Sequence, residues 1–70
     1  MSGPAEVLVR ARDGIFVADE CELADRSLTA HGRWQHRCGP NNAETRWGRE
    51  GTYTWPLQRV KEIRWLEGAR

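Results

Sequence analysis

The stretch EVLVRARDGIFVADECEL, residues 6–23, decides the fold. It holds two apolar runs on either side of Asp13-Gly14. In the first, Val7, Val9 and Ala11 fall on one face. In the second, Ile15, Val17, Cys21 and Leu23 alternate, with Asp19 breaking the series. Period-two patterning over short runs marks antiparallel strands with one buried face. A two-residue Asp13-Gly14 turn would set Val9 opposite Ala18 and Val17 across from Arg10. A three-residue loop of Arg12, Asp13 and Gly14 pairs Ala11 with Ile15 and Val9 with Val17. Only the second register unites both apolar sets, so it is the expected one. Gly14 then takes the left-handed position of a bulged hairpin.

The same alternation runs on through the chain. In SLTAHGRWQ, residues 27–35, Leu28, Ala30 and Trp34 share a face, and the polar turn Ala24–Ser27 before it predicts a second hairpin. CGPNNAET, residues 38–45, gathers Gly, Pro and Asn and reads as the longest loop. RWGREGTYTW, residues 46–55, reads as a fourth strand in which Trp47, Tyr53 and Trp55 stand out. Pro56 cannot donate to a ladder and ends it. Leu57 and Val60 are spaced by three, which suits one 3₁₀ turn. KEIRWL, residues 61–66, carries Ile63 and Trp65 as a final strand. The expectation is an all-β protein: a small five-stranded antiparallel barrel with a 3₁₀ turn before the last strand. Closure would remove exposed edges. Residues 1–5 are expected as a flexible N-terminus, 6–67 as a single barrel domain and 68–70 as the C-terminal end.

Seventy residues make one domain at most, with a core that only just offsets chain entropy. The four tryptophans, each able to bury on the order of 200 Å², therefore weigh heavily. No apolar run approaches the ~20 residues that span a bilayer. The opening MSGPAEVLVR does not read as a signal peptide. A cytoplasmic protein with no membrane contact is expected, with Cys21 and Cys38 as thiols.

Net charge is +1 but unevenly spread. Residues 1–25 hold two arginines against six acids, and residues 26–70 hold nine basic residues against four acids. Such asymmetry suits a nucleic-acid face or head-to-tail self-association. An ordinary solvated surface is the plainer reading.

HGRWQHRC, residues 31–38, concentrates the reactive side chains. His31, His36 and Cys38 are candidate metal ligands, with Cys21 a fourth. An odd separation on a strand puts His31 and His36 on opposite faces, and paired zinc spacings are missing. Neither metal nor cofactor is expected. Cys38 beside His36 could serve as nucleophile and base, but nothing fixes a third orienting group. Asp19, Glu20 and Glu22 are sequence neighbours rather than a convergent pair, and no Gly-rich phosphate loop is present. No enzyme is expected.

Nucleic-acid binding is the sharper reading. Thr29, His31, Arg33, Gln35 and Arg37 share the face opposite Leu28, Ala30 and Trp34, while Arg46 and Arg49 flank Trp47. Arginine neutralises phosphate and stacks on bases, and His and Trp offer stacking planes. The candidate residues are Arg33, Arg37, Arg46 and Arg49 for phosphate, with Trp47 and His31 for stacking. A net charge of +1 predicts weak, salt-sensitive binding. The alternative is a protein-interaction or inhibitor module, self-assembling or binding a partner through an exposed tryptophan or a strand edge.

DGIFVADECELADRSLT, residues 13–29, resembles the Sm-like family. Gly14 ends the turn, Asp25 follows eleven positions later, and Leu28 and Thr29 stand where that family places an apolar residue and an asparagine. TWPLQRVKEIRWL, residues 54–66, is similar to the family's second, shorter motif, with Val60 and Ile63 in the late apolar positions. It also resembles the end of Src-homology-3-like barrels. The layout is similar to the Rof family, Sm-like proteins that inhibit transcription termination. Asp19 stands where the family often has glycine, and Thr29 replaces its asparagine. The resemblance spans residues 7–66 in layout. It implies a small barrel and carries no function by itself.

Overall fold

A computed structural model describes residues 2–66. Met1, Glu67 and the expected C-terminal end at 68–70 lie outside the described residues. Six strands follow one another: β1 Ser2–Val9, β2 Ile15–Leu23, β3 Ser27–Cys38, β4 Glu44–Trp47, β5 Gly51–Pro56 and β6 Val60–Trp65. Two 3₁₀ turns lie at Pro40–Asn42 and Leu57–Arg59. Every ladder is antiparallel. The order is β4-β3-β2-β1-β6, with β5 also paired to β3. The all-β antiparallel architecture and the 3₁₀ turn before the last strand agree with the sequence. Among the described residues no helix is long and apolar enough to cross a membrane.

Strand count and closure differ from expectation. The fourth strand, expected as one, is β4 and β5 on the same edge of β3. Gln35 faces Trp47, and Gly32 faces Gly51. Three residues, Gly48–Glu50, therefore pass alongside only two, Arg33 and Trp34. The surplus residue breaks the ladder, and only Gly48 N–H stays tied, to the Trp34 carbonyl at 2.8 Å. The sheet is open, because no described ladder joins β5 to β6. β5 lies off the path beside β3 and β6 ends the path beyond β1, yet the two are linked by Leu57–Arg59 alone. Pro56, where β5 ends, has no N–H to give a partner. The radius of gyration is 12.1 Å, above the roughly 11 Å of a compact chain this long.

The first hairpin is also corrected. Val7 faces Phe16, and Ala5 faces Ala18, so the loop is Arg10–Gly14 rather than three residues. Gly14 does have positive φ, at 90°, but Ala11 shares that property at 61° and sits in the loop. The buried residues of β2 are Phe16, Ala18 and Cys21, not Ile15 and Val17. Asp19 is the cause. Ala18 faces Gly32 and Glu20 faces His31, so β2 carries one extra residue there. A bulge of this kind reverses the alternation. Extrapolating inward from Cys21 and Leu23 therefore gives the wrong face before Asp19. The stretch expected as a flexible N-terminus, residues 1–5, contributes to the sheet from Ser2 onward. Residues 2–5 belong to β1, and Ala5 is fully buried between Ala18 of β2 and Trp65 of β6.

The core lies on the concave face. Phe16 is fully buried and makes edge-to-face contacts with Trp34, Tyr53 and Trp55 at 5.3, 5.3 and 5.2 Å. Each such pair contributes about 0.5–1.5 kcal/mol beyond area burial. Val7, Leu28 and Cys21 are the other large side chains fully enclosed, and Trp55, Leu57, Val60, Ile63 and Trp65 pack around the core.

Candidate nucleic-acid interface

β3 builds the site because its alternation is unbroken from Leu28 to Trp34. Leu28, Ala30, Gly32 and Trp34 are buried, while Thr29, His31 and Arg33 are exposed. Gln35 and Arg37 continue the outer row. Directly opposed residues of an antiparallel pair share a face. Trp47, opposite Gln35, and Thr45, opposite Arg37, therefore join that row on β4. The Trp47 ring is 52 % exposed. Arg33, Arg37 and Trp47 thus stand on the outer face; the alternation of β3 led us to expect this of Arg33 and Arg37.

The other three candidates do not converge with them. Arg46 faces His36, so it belongs to the concave face with Trp34. His36 stacks on Trp34 there, with ring centroids 6.4 Å apart at 27°. Arg49 is exposed in the segment between β4 and β5. His31 is on the outer face but already engaged. Its Nδ1 lies 2.7 Å from the Thr52 hydroxyl, and its Nε2 lies 3.4 Å from a Glu50 carboxylate oxygen. The Nδ1–Thr52 contact is a hydrogen bond, and the Glu50 carboxylate lies close to the other ring nitrogen.

Electrostatics separate two neighbouring depressions on this face. The larger, about 610 Å³, is lined by Glu20, Glu22, Thr29, His31 and Thr52 among others. Its carboxylates disfavour phosphate. The second, about 340 Å³, is lined by Val17, Asp19, Gly32, Arg33, Trp47 and Glu50. Among the described residues Arg33, Arg37, Arg46 and Arg49 make no ion pair, whereas Arg64 is held by Glu62. That hydrogen bond and the Glu62 charge raise the Arg64 pKa. Among the described residues no three metal-ligating side chains gather. His31 and His36 stand on opposite faces of β3, as strand alternation requires.

Sequence reasoning missed Asp19, Glu50 and Val17 as walls of the second depression. The broken alternation at Asp19 was the available signal. It also missed Arg12, whose guanidinium lies 4.6 Å from the Trp34 ring centroid and caps the concave end of the aromatic cluster. No family model, curated protein or solved structure matches the chain.

Proposed function

We propose that this protein is a non-catalytic binding module for RNA or other single-stranded nucleic acid. The observation that carries the reading is the outer face of β3 and β4. There a half-exposed Trp47 shares a surface with Arg33 and Arg37, neither of them paired among the described residues. A base stacks on the indole while the guanidinium groups neutralise the adjoining phosphates. We also read the open sheet as a partly open small barrel of the Sm-like or Src-homology-3-like kind. The three-residue link between β5, on the outer edge of β3, and β6, on the far edge of β1, supports that reading. Such barrels commonly use sheet faces and loops to hold oligonucleotides.

The test is binding of a mixed-sequence single-stranded RNA octamer at low salt to wild type and to R33A/R37A. The double variant is expected to lose about tenfold or more in affinity with its fold intact. The slope of log affinity against log salt should become shallower by roughly 1.4, two phosphates at about 0.7 each. Equal affinity and slope would refute the assignment. A protein partner is the second reading, favoured by the same exposed indole. It predicts no RNA binding by wild type.

A further inference from the structure

The depression beside Trp47 has an odd composition for a phosphate site. Trp47 and Arg33 line it, but so do two carboxylates, Asp19 and Glu50. Phosphate would be repelled by both acids. A cationic peptide side chain would suit the acids and the indole but would be repelled by Arg33. One ligand class accounts for the indole, the guanidinium and one of the carboxylates: a nucleobase that stacks on the ring, offers hydrogen-bond donors to a carboxylate, and carries its phosphate toward the guanidinium.

The geometry points to a guanine-reading pocket, in which Asp19 accepts the two donors of one unstacked guanine while Trp47 stacks on it and Arg33 holds its phosphate. This rests on the nucleic-acid reading and adds a base preference to it. Guanine presents N1–H and N2–H₂ side by side on its Watson–Crick edge, and a carboxylate presents two acceptor oxygens at matching spacing. Adenine and cytosine set a ring acceptor beside their amino group, which repels the second oxygen. Uracil sets its single N–H between two carbonyls. Guanine is therefore the standard base that pairs with a carboxylate through two hydrogen bonds.

Asp19 rather than Glu50 is assigned as the acceptor for two reasons. Glu50 already faces His31 at 3.4 Å, whereas Asp19 makes no ion pair among the described residues. Asp19 is also the surplus residue of the β2 bulge, and bulges redirect a side chain out of the regular sheet pattern. The bulge lies against Gly32, where a Cβ would stand 2.0 Å from the Val17 carbonyl oxygen and 2.7 Å from Ala18 Cα. No side chain fits between β2 and β3 at that point.

The experiment uses four fluorescently labelled octamers: all-uridine, and uridine with one central guanosine, adenosine or inosine. Inosine keeps N1–H and lacks the N2 amine. Wild type is expected to bind the guanosine octamer about tenfold more tightly than the all-uridine and adenosine octamers. Inosine should lose most of that gain. D19N should abolish the guanosine preference. E50Q should retain the preference. Equal binding of the guanosine and adenosine octamers by wild type, or a preference that survives in D19N, overturns the pocket and leaves the nucleic-acid reading standing. Failure of wild type to bind any of the four overturns both.

Discussion

Gly32 sits where β2 and β3 approach most closely, beneath the Asp19 bulge. Any side chain there meets backbone atoms of Val17 and Ala18, which cannot rotate away. G32A is therefore expected to destabilise the fold by about 1–3 kcal/mol through overpacking. The urea midpoint measures this, and an unchanged midpoint would contradict the packing described. Cys21 offers a second reading at this scale. Burial alone pushes its thiol up from the ordinary value. The folded chain thus binds the thiol proton more tightly than the unfolded chain. The resulting stability is present at neutral pH and lost as pH rises through the thiol range, above about 8.5. Iodoacetamide at pH 8 should modify partly exposed Cys38 well before Cys21 in the native state. Equal rates would contradict the burial of Cys21.

At the scale of the strand, two surplus residues shape the molecule. Asp19 reverses the alternation of β2, and the segment Gly48–Glu50 does the same between β4 and β5. Strict alternation would bring Trp47 to the same face as Tyr53 and Trp55. The surplus residue instead puts Trp47 outside, while Tyr53 and Trp55 face Ala30 and Leu28 over the core. A chain lacking Asp19 should still place Phe16, Ala18, Cys21 and Leu23 on one face and fold cooperatively. A chain lacking Val17 should turn Phe16 outward and lose about 3–5 kcal/mol, enough to unfold a domain this small. Similar thermal midpoints for the two deletions would contradict the bulge. These surplus residues also explain what was legible. The outer row of β3 followed directly from its period, because no bulge interrupts Leu28 to Trp34. The register of the first hairpin did not. Both the long Arg10–Gly14 loop and the Asp19 bulge are settled by packing across strands, which a local period does not record. Arg46 was grouped with Arg33 as a candidate, but its face depends on pairing with His36, not on its nearness to Trp47.

The whole molecule is a bent, open sheet with a packed concave side and a charged convex side. The uneven charge of the sequence becomes spatial on the convex side. Glu20 and Glu22 lie toward one end of the β2–β3 ladder and Arg33 and Arg37 toward the other. Trp47 borders the basic end and is the most exposed large apolar residue described. Trp34 is 6 % exposed, and Trp55 and Trp65 pack against the core. One indole among the four is thus placed to meet a ligand on the outer face. The most direct measurement is the set of indole N–H resonances in an NMR spectrum during titration with a single-stranded RNA octamer, with Trp47 assigned through W47F. The account predicts that the Trp47 resonance moves with saturable dependence on RNA while those of Trp34, Trp55 and Trp65 stay in place. A stationary Trp47 resonance, or larger movement of a core indole, would contradict it.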